Sequence, residues 1–211
     1  MKEDRPIVIL IHGLARTKRS MWYLSKKLEK AGFIPYLFNY PSRRNDIQST
    51  CQQLMCFIKS HNLENSPISF VGHSLGGVIA WEFTNKLGAK LPIEKLITIG
   101  SPLAGSQTAR RLSKFKFIRW LMGPALEELA SFSVGERRAN LKFCSIAGYF
   151  PLRCGYYGVL NDKNDGVVTI SETEIQGTSD HIVVNGTHSL LVYKRRVIDN
   201  TINFLRSGKF L

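Results

Sequence analysis

The sequence predicts an α/β fold, a mainly parallel sheet with helices on both faces, and three observations predict it. Short apolar, β-branched runs alternate with amphipathic stretches along the chain, without repeats or low-complexity tracts. The first run, Ile7-Val8-Ile9-Leu10-Ile11, has no polar position, as a strand covered on both faces requires. Gly72-His73-Ser74-Leu75-Gly76 stands between a strand pattern and a helix pattern, a tight strand-to-helix turn with serine at its centre.

Each element follows in order. Ile7 to Ile11 leads into His12-Gly13-Leu14. Ser20 is placed to cap a helix from about Met21 to Ala31, with Leu24 and Leu28 at helical spacing and Gly32 stopping it. Phe33 to Tyr40 reads as a second strand closed by Pro41. Asn45 to His61 reads as an amphipathic helix whose apolar positions include Ile47, Leu54, Phe57 and Ile58. Pro67-Ile68-Ser69-Phe70-Val71 is the strand before the serine turn, and Leu75 to Leu87 the helix after it, ended by Gly88. Lys95 to Gly100 and Leu141 to Ala147 are further strands, His181 opens the run Ile182-Val183-Val184, and Ser189 to Arg206 is the final helix. Residues 104–140 break the rhythm. Arg110 to Met122 is helix-compatible throughout, and Gly123-Pro124 restarts a second helix toward Ala130. Their aromatic and aliphatic content is too high for a linker, so they are expected to form a helical cap or lid above the sheet.

The 211 residues, 44% of them hydrophobic, suffice for one domain spanning 1–211. The polar start Met1-Lys2-Glu3-Asp4-Arg5-Pro6 runs straight into a strand, and no 18-residue apolar stretch follows, which predicts a cytoplasmic protein. Cys51, Cys56, Cys144 and Cys154 lack the spacing of a zinc site and read as buried free thiols; a Cys144 to Cys154 bridge is the alternative. A net charge of +13 favours acidic partners, nucleic acid or an anionic membrane.

The chemistry is carried by the serine turn. By composition a G-x-S-x-G pentapeptide arises about 0.07 times in a chain of this length, and the flanking strand and helix lower that further. Glycines two residues either side of Ser74 let the chain turn sharply, leaving Ser74 exposed at the top of the sheet. The N–H of Leu75, at a helix start, faces the same way and is one candidate oxyanion donor. A nucleophilic serine needs a histidine to take its proton and a carboxylate to hold that histidine. Downstream of Ser74 stand only His181 and His188. His181 belongs to a strand pattern, whereas His188 follows the turn signal Asn185-Gly186 and sits in a loop, from which it can reach the serine. Asp162, Asp165 and Asp180 are the candidate acids. Asn164-Asp165-Gly166 is a turn whose backbone buttresses Asp165, and Asp162 is its competitor. The loop after the first strand offers the N–H of Leu14 as second oxyanion donor, with Gly13 permitting close approach.

His12-Gly13-Leu14, Gly72-His73-Ser74-Leu75-Gly76-Gly77, Gly100-Ser101-Pro102-Leu103-Ala104-Gly105-Ser106, Asn164-Asp165-Gly166-Val167-Val168 and Gly186-Thr187-His188 together resemble bacterial lipases of the α/β-hydrolase superfamily, over most of the chain except 107–140. The resemblance implies a compact α/β-hydrolase fold with Ser74, Asp165 and His188 as catalytic residues, in that chain order, and Leu14 and Leu75 at the oxyanion hole. His12 then precedes the serine and reads as a loop organiser. Leu103 departs from the pattern, since many relatives have histidine there.

The expected function is a serine hydrolase of carboxylic esters, lipid or acyl esters among them, working through an acyl-enzyme on Ser74 with no metal or cofactor. A thioesterase or acyltransferase with the same residues is the alternative, and a non-catalytic basic module for nucleic acid is the weaker rival, since such a module has no need of serine, acid, histidine and both loops. From residue 109 to 122 five cations and no acid interleave with Leu112, Phe115, Phe117, Ile118, Trp120, Leu121 and Met122. That mixture suits an anionic membrane surface, with Leu112, Phe115, Ile118 and Met122 projected on one side of a helix.

Overall fold

The computed structural model describes residues 5–135, 138, 141–151, 155, 158 and 160–211. Six strands form one sheet, β1 (Ile7–Ile11), β2 (Ile34–Phe38), β3 (Ile68–His73), β4 (Ile93–Ile99), β5 (Lys142–Tyr149) and β6 (Asp180–Asn185). Their order is β2-β1-β3-β4-β5-β6, and every pairing is parallel. The helices are α1 (Trp22–Lys30), α2 (Ile47–Ser60), α3 (Leu75–Asn85), α4 (Gln107–Leu112), α5 (Lys116–Met122), α6 (Pro124–Ser131), α7 (Ile170–Thr173) and α8 (Arg195–Ser207).

Alternate strand residues feed two separate cores. Ile9, Ile11, Phe70, Leu96 and Phe143 pack with α2 and α3 on one face. Val8, Leu10, Val71, Ile97 and Cys144 pack with α1 and α8 on the other. Burial on both faces is why the strands read as unbroken apolar runs. Helix α3 is buried nearly all round, with Trp81 edge-on to Phe143 at 5.1 Å between ring centroids.

β2 lies outside β1, whereas β4, β5 and β6 continue on the far side of β3. Chain direction across the sheet therefore reverses between β1 and β3. Beyond the carboxyl ends of those two strands a crevice opens, where α/β sheets place their ligands. The β1 loop (His12 to Leu14) and Ser74 both stand there.

Several elements differ from their sequence expectation. Ser20 does not cap α1. It lies inside a 3-10 turn, Lys18–Met21, and its Oγ donates to the Thr17 carbonyl at 2.9 Å, so α1 begins at Trp22. The cap of α2 is Asp46, whose Oδ1 accepts from the Ser49 N–H at 2.6 Å. Residues 110–122 are not one helix: Phe115 is extended (φ −98°, ψ 113°) and separates α4 from α5. The break removes the projected face, since Leu112 and Met122 turn inward while Phe115 is 52% exposed. The final helix is interrupted at Lys194, so that a 3-10 turn, His188–Tyr193, precedes α8 and carries Leu191 and Val192 into the core. Cys51 and Cys144 are buried free thiols, but Cys56 is exposed; Cys154 lies outside the described residues. Among the described residues no helix is long and apolar enough to cross a membrane.

The serine turn depends on two close backbone approaches. A Cβ on Gly72 would lie 2.4 Å from the backbone of Gly76 and Gly77, and one on Gly76 would lie 2.2 Å from the Ile11 carbonyl oxygen. Neither obstacle is a movable side chain. Gly76→Ala should therefore destabilise the protein by about 3 kcal/mol or more, read as the urea unfolding midpoint. Gly135→Ala, whose Cβ meets nothing within 4 Å, should stay within about 0.5 kcal/mol.

Candidate active site

Ser74 is the last residue before α3 and has φ 55°, ψ −125°, a conformation an L-residue rarely adopts. Two backbone hydrogen bonds hold it: its N–H donates to the Ile99 carbonyl at 2.9 Å, and its carbonyl accepts from the Gly77 N–H at 2.9 Å. The turn projects Oγ toward His188, whose Nε2 lies 2.9 Å away. His188 Nδ1 lies 2.7 Å from Asp165 Oδ2.

Asp165 is fully buried, yet its charge is well compensated. Oδ1 accepts the backbone N–H groups of Val167 at 3.0 Å and Val168 at 2.8 Å. The turn predicted from Asn164-Asp165-Gly166 makes this geometry, with Asn164 Oδ1 accepting from the Gly166 N–H at 2.9 Å. The His188 N–H donates to the Asp165 carbonyl at 2.9 Å, so the two residues are joined through backbone and side chain alike.

The rival candidates are engaged elsewhere. Asp162 is exposed, and its Oδ1 accepts from the neighbouring Lys163 N–H. Asp180 Oδ2 accepts from the Phe210 N–H at 2.8 Å. His181 Nε2 lies 3.1 Å from Thr173 Oγ1. His12 stacks on Tyr40 at 4.3 Å between ring centroids, and its carbonyl accepts from the Tyr40 hydroxyl at 2.7 Å. It ties the β1 loop to the β2 loop. Leu103 is wholly buried.

Ser74 and His188 open on a cavity of about 260 Å³ that Gly13, Leu14 and Arg16 also line. Its far wall is apolar: Leu112 from α4, Met122 from α5, Leu126 and Leu129 from α6. Gly13 stands against the serine, since a Cβ there would lie 3.0 Å from Ser74 Cβ. The N–H groups of Leu14 and Leu75 are thus carried by the residues that follow Gly13 and Ser74, the second in the first turn of α3, where N–H groups have no partner within the helix. A larger cavity of about 670 Å³ lies between α2, α3 and α6 and shares no residue with this one.

With this geometry in hand, comparison with known proteins is decisive at the level of family. Residues 1–137 match the family described as "Putative serine esterase (DUF676)". The chain belongs to that family. At this level the protein is a carboxylic ester hydrolase with the α/β-hydrolase fold. No curated protein matches its sequence. Among solved structures, the mature lipase BlEst2 of Bacillus licheniformis is similar with a TM-score of 0.72 at 18% identity, over 99% of this chain and 94% of that one. The metagenomic carboxyl esterase MGS0156 gives 0.69 at 18%, over 100% and 73%. The product of the gene lin2722 of Listeria innocua gives 0.68 at 18%, over 96% and 94%. These three likenesses are likenesses of fold.

Three residues of this esterase escape sequence reasoning. His73 is buried beside the serine, and its Nε2–H donates to the His188 carbonyl at 3.0 Å, fixing the backbone of His188. Gly148 makes room for Asp165, whose Cβ would lie 2.6 Å from a Cβ there. Glu172 accepts N–H groups from both Thr169, at 2.8 Å, and Gln107, and so joins the start of α7 to the start of α4. Only Glu172 leaves a sequence signal, the capping box Thr169-Ile170-Ser171-Glu172.

Burial drives the His73 imidazole down to about 3 from an ordinary 6.5, with the neighbouring His188 adding to the effect. Between those values the unfolded chain binds a proton that the folded chain refuses. Stability is therefore full above pH 6.5 and falls as pH drops through the window, by up to about 1.4 kcal/mol per pH unit. His12, also held neutral by burial, acts in the same direction. His73→Gln keeps a neutral donor near the His188 carbonyl. Between pH 7 and pH 5 its stability in urea should fall by about 2 kcal/mol less than that of the wild type.

Proposed function

We propose that this esterase works through an acyl-enzyme on Ser74. The hydrogen-bonded chain from Ser74 Oγ through His188 to Asp165 carries the proposal. Ser74 Oγ attacks the ester carbonyl carbon while His188 Nε2 takes its proton. The oxyanion that forms is met by the N–H groups of Leu14 and Leu75. His188 returns the proton to the leaving alcohol, and a water activated by the same histidine then releases the acid. Asp165 holds the imidazole with Nδ1–H toward itself and stabilises the imidazolium.

The apolar wall from α4, α5 and α6 suits an acyl chain. The chamber is small, about 260 Å³. Short and medium chains fit. Turnover of 4-nitrophenyl esters should accordingly rise from acetate toward hexanoate or octanoate and fall for longer chains.

Three variants test the assignment. Ser74→Ala should abolish both ester hydrolysis and labelling by a fluorophosphonate probe; retained turnover would sink it. Asp165→Asn keeps the shape but removes the charge, and should lower kcat by about 10²- to 10⁴-fold, whereas Asp162→Asn should lose little.

We further propose that α5 meets an anionic membrane surface that holds the ester. Helix α5 buries no residue, and Phe115, Phe117, Trp120 and Leu121 are exposed beside Arg111, Lys114 and Lys116. In a sedimentation assay, vesicles with anionic lipid should capture the protein better than neutral ones. Salt, or replacement of Arg111, Lys114 and Lys116 by Gln, should remove the difference.

A further inference from the structure

An ester has two arms, and the apolar chamber accounts for one of them. At Ala15 and Arg16 that chamber meets a second cleft of about 370 Å³, whose lining includes both residues. The second cleft lies between the loops after β1 and β2, at the carboxyl ends of the strands. It carries Arg16, Arg43 and Arg44 together with Thr17, Asn39 and Ser42, and no acid.

None of the three arginines forms an ion pair among the described residues. The Arg16 guanidinium donates to Ser189 Oγ at 2.6 Å. The nearest acid in sequence, Asp46, is occupied in capping α2. Three uncompensated guanidinium groups repel one another, and a wall of this kind is stable mainly in so far as solvent or an anion screens it.

The loops that carry them are held in place. Tyr40 joins them through its stack on His12 and its bond to the His12 carbonyl, and the Lys18 N–H donates to Asn39 Oδ1 at 2.9 Å. The Arg44 N–H donates to the Pro41 carbonyl at 2.8 Å, closing the turn that presents Arg43 and Arg44. The backbone of the cleft is thus fixed, and the exposed arginine side chains it carries can turn to a ligand.

We propose that this cleft binds a phosphate group carried by the alcohol part of the substrate, so that the ester is an acylated phosphate-bearing alcohol. The proposal rests on Ser74 as the hydrolytic serine. Arginine forks match phosphate oxygens two at a time, and a dianion answers a wall of three cations better than a single carboxylate does. The acyl chain then lies under α4, α5 and α6, and the charged half of the leaving group lies against Arg16, Arg43 and Arg44.

The test separates binding from turnover. Ser74→Ala protein is titrated calorimetrically with 1-butyrylglycerol 3-phosphate and with 1-butyrylglycerol. The phosphorylated ester should bind at least about tenfold more tightly, and the gap should shrink as salt rises. Adding Arg43→Gln and Arg44→Gln should close it. Equal binding of the two esters, or a gap that survives loss of both arginines, overturns the proposal. With wild-type enzyme, inorganic phosphate should compete against the phosphorylated ester. If it instead accelerates the neutral ester, the cleft answers to free phosphate as an effector and the leaving-group assignment falls. A binding preference without turnover of either ester overturns Ser74 as the hydrolytic serine and leaves the cleft. Turnover without the preference does the reverse.

Discussion

The backbone of Ser74 is held at φ 55°, ψ −125°, and a conformation of that kind costs about 1–3 kcal/mol and persists only where its surroundings impose it. The surroundings do so through the two most buried features of the chain. β3 is paired on both sides and runs to His73, so the strand cannot relax toward either neighbour. α3 is clasped by both the sheet and α2 and cannot slide along its axis without breaking the packing of Trp81 and Phe83. The angle between strand and helix is thereby set by core packing, and the turn must accommodate it. That is why Gly72 and Gly76 touch backbone, and why the serine alone carries the strain.

The same packing decides where the polar partners go. Asp165, His188 and His73 are all buried within the carboxyl end of the sheet, where each polar atom needs a partner. Asp165 is satisfied by backbone N–H groups and by His188, and His188 by Asp165 and Ser74. His73 satisfies the His188 carbonyl, at the expense of its own Nδ1, which has no partner among the described residues. One orphaned imidazole nitrogen is compatible with folding because burial keeps the ring neutral. The arrangement trades acid stability for a His188 whose backbone and ring are both fixed.

Legibility in the sequence follows the range of the interactions. Strands β1, β3 and β4 and the positions of Ser74, Asp165 and His188 are readable because each depends on neighbours within a few residues: an apolar run, G-x-S-x-G, Asn-Asp-Gly, Asn-Gly. His73 is not readable as a partner of His188, since 115 positions separate them and either residue alone looks like an ordinary core or loop histidine. Gly148 is hidden for the same reason, its necessity arising from Asp165 on another segment. The break between α4 and α5 is invisible because the apolar spacing from Leu112 to Met122 fits a continuous helix. Tertiary contacts override it. α4 is anchored at its start by Ser106, Glu172 and the Thr108 bond to the Val167 carbonyl, whereas α5 is fastened to α6 through Arg119 and Glu127 at 3.0 Å. The buried start of α4 holds that helix, and the chain leaves it through the extended Phe115.

Those anchors also divide the segment over the site into unequal parts. α4 is bound to the Asp165 loop and α7 by buried polar contacts, and α6 is bound by Leu126, Leu129 and by Glu128, which accepts the Ile47 N–H at 2.6 Å. Among the described residues α5 is held by its partly buried Ile118 and Met122 and the half-exposed pair Arg119–Glu127. An ion pair of that exposure contributes about 0.2–1 kcal/mol, whereas full burial of one aromatic side chain contributes about 1.5–3 kcal/mol. Phe117 and Trp120, 69% and 78% exposed, leave most of that energy unrealised. α5 is therefore the wall of the chamber that is cheapest to displace, and Met122 is the residue it would withdraw. Because α4 and α6 keep their own anchors, displacing α5 would leave the strained Ser74, its bonded His188 and the loop after β1 where the core holds them.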